Sequence, residues 1–130
     1  MSDVKGLDEV LKKLKILPAR IQKNVVTGAI RAGAKPILKE AKRLVPVDTG
    51  TLKKSIGIVK RRSKDKNIVI FSVTPRIKKG GWYAHFVEYG TAKMPAHPFM
   101  RPAVEKMASE TIKSAQEYMR KRVDKELEKL

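Results

Sequence analysis

Leu44-Val45-Pro46-Val47-Asp48-Thr49-Gly50-Thr51-Leu52-Lys53-Lys54-Ser55-Ile56 is where the chain changes its period. Upstream of it, apolar residues recur at helical spacing. Downstream they alternate, as in a strand. Val45-Pro46 stops a helix, because proline cannot continue one and disfavours helical backbone at the residue before it. Asp48-Thr49-Gly50 reads as a turn, in which Asp48 or Thr49 can cap a short helical turn over residues 51–55.

Working back from that switch, Ile21, Val25, Ala29, Ala32 and Pro36 share one face, with Val26, Gly33, Ile37 and Leu44 on its flank. Arg20, Arg31, Lys35 and Lys42 project from the other side. The spacing predicts a long amphipathic helix over about residues 18–44. Pro36 removes one backbone hydrogen bond inside it and predicts a kink. Gly28, Ala29, Ala32, Gly33 and Ala34 make its middle thin, so another backbone can approach. Glu40 falls near the apolar side, where it must either rotate outward or pair with a base. Before Pro18, the spacing of Leu7, Val10, Leu11, Leu14 and Leu17 predicts a short amphipathic helix within residues 1–17.

Working forward, Ile56 and Ile58 alternate with Gly57 and Val59. Ile68-Val69-Ile70-Phe71-Ser72-Val73 reads as a well-buried second strand ended by Thr74-Pro75. Residues 60–67 between them form a basic hairpin loop, and residues 76–81 form another basic loop that ends in glycine. Residues 82–89 read as a third strand, with Tyr83, His85, Val87 and Tyr89 on one face and Ala84, Phe86 and Glu88 on the other. After a loop at 90–97, Pro98 or Pro102 opens a last helix, whose stripe includes Val104, Met107, Ala108, Thr111, Ile112, Ala115, Tyr118 and Met119. Past Arg120 the stripe weakens, which leaves residues 120–130 as a tail open to fraying. The expected fold class is α+β: an antiparallel sheet of about three or four strands packed against two long amphipathic helices, with a short N-terminal helix.

The 130 residues suit a single domain spanning 1–130, and with no cysteine its stability cannot depend on disulfides. The N-terminus does not read as a secretory signal. No apolar run approaches the ~20 residues that cross a bilayer, so the expected protein is soluble and intracellular, with no membrane partner. Thirty Lys and Arg against thirteen Asp and Glu give a formal charge of +17. Such a surface attracts polyanions such as nucleic acid, or an acidic protein partner.

The motifs give little support to chemistry. Asp48-Thr49-Gly50 matches the triplet of aspartic proteases, where two carboxylates share a proton, but here a long helix and a proline precede it and a capping turn accounts for it. His85 and His97 are the only histidines, without cysteines or zinc-ligand spacing. Gly80-Gly81 lacks the residues of a phosphate loop. No enzyme activity, cofactor, metal or small-molecule substrate is expected. The basic residues Lys60, Arg61, Arg62, Lys64, Lys66, Arg76, Lys78 and Lys79 are candidates for contact with a partner or DNA, and Trp82 and Tyr83 lie close by in sequence, where they could stack on bases. Residues 94–100 form an apolar, proline-stiffened loop that suits a protein interface or a lid over the core.

Three segments in order carry a resemblance: Val45-Pro46-Val47-Asp48-Thr49-Gly50-Thr51-Leu52-Lys53-Lys54-Ser55-Ile56, then Tyr83-Ala84-His85-Phe86-Val87-Glu88-Tyr89-Gly90-Thr91, then Met94-Pro95-Ala96-His97-Pro98-Phe99-Met100-Arg101-Pro102-Ala103. Over about residues 21–104 the chain resembles the phage neck and tail-component family typified by the tenth gene product of the lambdoid phage HK97. The resemblance implies a structural protein of a long-tailed phage or prophage, at the head–tail junction or in tail completion. It would act as one subunit of a ring, and would reside in the virion and, before assembly, in the host cytoplasm. Its partners would be other connector or tail proteins. The resemblance assigns Pro46, Asp48, Thr49, Gly50, Leu52 and Ser55 to the helix-to-sheet turn. It assigns Tyr83, Glu88, Gly90 and Thr91 to the third strand and its end. His97, Pro98, Phe99, Met100 and Pro102 would lead into the last helix. The high charge is not part of the family pattern and keeps a second reading open, a basic nucleic-acid-binding protein.

Overall fold

A computed structural model describes residues 2–46 and 50–130, with side chains of the first helix described from residue 6 onward. The order is α1 (Ser2–Ile16), α2 (Ala19–Leu44), α3 (Thr51–Ser55), β1 (Ile56–Arg61), β2 (Ile70–Pro75), a single 3-10 turn (Ile77–Lys79), α4 (Ala84–Tyr89) and α5 (Met100–Glu128). The class is α+β, as expected. The sheet differs: it has two antiparallel strands rather than three or four, with Ile58 opposite Val73 and Arg61 opposite Ile70.

The missing strand is residues 82–89, which fold instead as a turn and then α4. Its buried residues, Ala84, Val87 and Glu88, are spaced at i, i+3 and i+4 and so lie on one helical face. Gly90 just past the end has φ 78° and donates its N–H to the Phe86 carbonyl at 2.8 Å, which closes the last turn. The second strand is also shifted and less covered than expected. It runs from Ile70 through Pro75 and is half-buried at best, and Ile68 lies outside it and exposed.

The long helices α2 and α5 pack antiparallel. Val25 and Val123 share one apolar cluster, and Glu40 pairs with Lys106 at 3.2 Å. Between these points the thin middle of α2 receives α5 directly. A Cβ on Gly28 would sit 2.2 Å from the Tyr118 hydroxyl, and one on Gly33 would sit 3.0 Å from the Thr111 carbonyl oxygen. The small residues of this stretch are therefore a packing requirement. The helix assignment runs unbroken through Pro36.

Two apolar clusters close the ends of this helix pair. At one end α1 contributes Val10 and Leu14, followed by Leu17, against Val25 and Val123, with Met119 and Leu127 beside them. Residues 120–130, expected as a tail open to fraying, are helical through Glu128, and Val123 is fully buried. The cover is α1, whose Lys13 also reaches Asp124 at 3.3 Å. At the other end Ala41, Val45, Leu52, Ile56, Ala84, Val87, Phe99 and Ala103 form the second cluster. Phe99 and Ile56 are its largest fully buried side chains. Removing the Phe99 ring would cost about 3–5 kcal/mol. The hairpin lies along α2, its base in this cluster through Ile56 and Val73, and its loop residues Lys66 and Asn67 by Ala19, Gln22 and Lys23.

Candidate interaction surface

The three resembling segments meet at the second cluster. Pro46 is exposed, whereas Leu52 and Ser55 are buried. Gly50 takes a left-handed conformation, φ 82°, at the start of α3, and its carbonyl accepts the Lys54 N–H at 3.0 Å. Ser55 Oγ donates to the Leu52 carbonyl at 2.6 Å. The proposed caps Asp48 and Thr49 lie outside the described residues.

The other two segments are clamped together by Glu88. Its carboxylate accepts the backbone N–H groups of Phe99 at 3.0 Å, Met100 at 2.9 Å and Arg101 at 3.3 Å, and the Arg101 Nε at 3.0 Å. The Arg101 guanidinium donates back to the Glu88 carbonyl at 3.1 Å and lies 4.7 Å from the Tyr89 ring centroid. The carboxylate caps α5 from another helix, satisfying N–H groups that have no partner within α5 itself. Burial alone would push the Glu88 carboxyl up. The N–H groups of Met100 and Phe99 and the Arg101 side chain outweigh it and hold the carboxyl below the ordinary range.

The connecting loop is equally determined. Val87 accepts the His97 N–H at 2.8 Å, and Thr91 and Met94 pair across a tight turn. A Cβ on Gly90 would fall 2.8 Å from the Ala96 nitrogen and 3.0 Å from the Met94 oxygen. Residues 94–98 and Thr91 are exposed, Phe99 enters the core, and Met100, Pro102 and Tyr83 are half-buried. The apolar loop thus divides into an exposed stretch and an anchor. Gly90 is a residue type that stops helices, but nothing local in the sequence marks Glu88 as the anchoring acid.

The basic residues separate into two groups. Lys60, Arg61, Arg62, Lys64 and Lys66 stand exposed toward the hairpin tip, where Asp65 orders the turn by accepting the Asn67 N–H at 2.8 Å. Arg61 also donates to Ser72 Oγ at 3.1 Å. Arg76, Lys78 and Lys79 follow β2 at the opposite end of the hairpin. Six-residue strands put roughly 17 Å between those ends, so the sheet does not bring them into one patch. Arg76 is also engaged: its Nε donates to the Ser55 carbonyl at 3.0 Å, and its guanidinium lies against Gly57.

Glu40, the misfit on the apolar side of α2, keeps its buried position and pairs with bases. Arg43 Nε donates to it at 2.9 Å and Lys106 Nζ at 3.2 Å. The Arg43 hydrogen bond, opposed by burial and aided by Lys106, holds its carboxyl below the ordinary range. Among the described residues no group of three or more His, Asp or Glu is placed to hold a metal ion, and no helix is long and apolar enough to cross a membrane.

No curated protein and no solved structure matched the chain. The model of the bacteriophage HK97-gp10 family, described as a tail component, matches residues 8–90. The match begins in α1, earlier than the resemblance suggested, and ends at Gly90, before the segment that Glu88 clamps. With more than half of the chain matched, the protein belongs to the HK97-gp10-like family.

Proposed function

We propose that this chain is a structural, non-catalytic virion protein of a long-tailed phage or prophage. It acts at the head–tail junction or in tail completion as a subunit of a ring, and it waits in the host cytoplasm before assembly. The observation that carries the reading is the family match across residues 8–90. The fold supports it physically. Glu88, Phe99 and the antiparallel helix pair make a stiff body, and stiff bodies lose little freedom on docking. Exposed loops at both ends of the hairpin offer different surfaces to different neighbours, as ring contacts require.

The test is mass spectrometry of purified particles from an expressing strain. Copies at a stoichiometry consistent with a ring support the reading. Absence from intact particles overturns it. A second reading, nucleic-acid binding, is favoured by one observation: residues 50–104 hold twelve Lys and Arg against two acids, Asp65 and Glu88. It requires DNA affinity that falls steeply with salt and tightens well beyond what charge alone gives. Reversing Lys60, Arg61 and Arg62 to Glu should impair particle assembly on the first reading and leave the isolated fold intact. Normal assembly by that variant would remove the hairpin loop from the interface.

A further inference from the structure

Four of the seven aromatic residues of the chain fall within residues 82–89: Trp82, Tyr83, Phe86 and Tyr89. Three of them point outward. Trp82 is 66% exposed, Phe86 45% and Tyr89 58%. The inward face of α4 holds the Ala84, Val87 and Glu88 anchors, so the outward aromatic face is held on a rigid, capped element. His85 joins it, with its ring 5.9 Å from Phe86 and 5.1 Å from Tyr89. Ile77 and Met94, on the turns flanking α4, are also exposed. Large exposed aromatics with an adjacent arginine are the composition of interface hot spots, and isolated folds rarely leave such a patch uncovered.

Charge selects the occupant. Lys78, Lys79 and Lys93 flank the aromatic face in sequence, are exposed, and form no ion pair among the described residues. The one acid of this region, Glu88, is buried and already engaged by four donors. A second copy of the chain is a poor match, because its exposed acids are matched or outnumbered by cations in every part of the chain. Residues 1–46 hold eleven Lys and Arg against four acids, residues 50–104 twelve against two, and residues 105–130 seven against six. Stacked bases fit poorly too, since Arg101 covers one face of Tyr89 and His85 tilts against the same ring; single strands are held in grooves lined by free ring faces.

We infer that the outward face of α4, built on Phe86 and Tyr89 with Trp82 on the turn before it, docks a different protein of the particle, one presenting an apolar pocket rimmed by carboxylates. The inference rests on the tail-component reading and names the partner chemistry for it. The test places a photo-crosslinking phenylalanine analogue at position 86 of the full chain, in assembled particles. The expected product joins the chain to a different virion protein through an acidic segment. Two double variants accompany it, W82S with F86S, and K78E with K79E. Each should reduce the copies per particle at least ten-fold while the thermal midpoint of the purified chain stays within about 2 °C of the parent. If the serine pair perturbs folding, the lysine pair decides, because both lysines are exposed. Crosslinks only to other copies of the chain or to DNA, or normal copy number in the lysine variant, overturn the docking inference alone. Absence of the unmodified parent from particles overturns the tail-component reading, and the inference falls with it.

Discussion

Glu88 is one carboxylate doing what usually takes a local capping residue. Phe99, at the start of α5, makes no side-chain cap of its own, and Glu88 supplies the acceptor from ten or more residues upstream. Removing the charge while keeping the shape, as in Glu88→Gln, should cost about 1.5–3 kcal/mol, the range for hydrogen bonds to a charged group. Its pH dependence follows in sign. The folded carboxyl lies below its ordinary value of 4.5, so its stabilisation is complete above that value and is lost as pH falls through the lower folded one. Thermal melts of parent and E88Q should therefore differ most near neutrality and converge in acid. A gap that stays constant down to pH 3 would mean that the charge contributes nothing. Gly90 makes a second prediction. Its φ of 78° and the backbone atoms at 2.8 and 3.0 Å leave no room for a methyl group. Gly90→Ala should destabilise the chain by about 1–3 kcal/mol, readable as a lower denaturant midpoint with unchanged slope.

The elements divide by how much of their cause is local. Helices α1, α2 and α5 were legible because apolar stripes of about three turns or more reveal the period, and the α2 and β1 starts fall within a residue or so of expectation. Helix α4 was not legible. Eight aromatic and β-compatible residues fit a strand as easily as a helix, and what decides is Glu88 reaching α5, a tertiary fact. The tail past Arg120 was misjudged for the same reason, since its cover is α1, more than a hundred residues away in sequence. The thin middle of α2 was legible in composition and acquires its reason in the structure. That gives a paired prediction. Gly33→Leu would place a Cβ only 3.0 Å from the Thr111 carbonyl oxygen, with the rest of the side chain to fit beyond it, and should cost about 2–3 kcal/mol. Gly6→Ala, where a Cβ meets nothing within 4 Å in helix α1, should instead stabilise by about 0.5–1 kcal/mol. Equal effects at the two sites, measured by chemical denaturation, would show that the close approach carries no energy.

At the scale of the whole molecule the charge is the dominant unbalanced term. Several carboxylates are already paired: Glu40, Glu88 and Glu126 each hold arginine, and Glu40 and Glu126 also hold lysine. What remains is largely cationic surface repelling itself, with cations matching or outnumbering acids in residues 1–46, 50–104 and 105–130 alike. Two opposing salt effects then compete. Salt screens the surface ion pairs, which contribute little each, about 0–1 kcal/mol. It also screens the mutual repulsion of a formal +17, which acts over the whole surface and weakens once the Debye length falls to about 8–10 Å. The second effect involves more charges, so added salt should raise the stability of the purified chain. We expect the thermal midpoint to climb by about 3–6 °C, the shift that roughly 1 kcal/mol gives in a chain this size, between 10 and 300 mM sodium chloride (roughly a fivefold change in screening length). If the subunits assemble as the proposed ring, the same repulsion is multiplied and would oppose assembly without an anionic partner. Sedimentation of the purified chain in low salt should accordingly find monomer, and a midpoint that falls as salt is added would show that the ion pairs, and not the excess cations, govern the stability of the molecule.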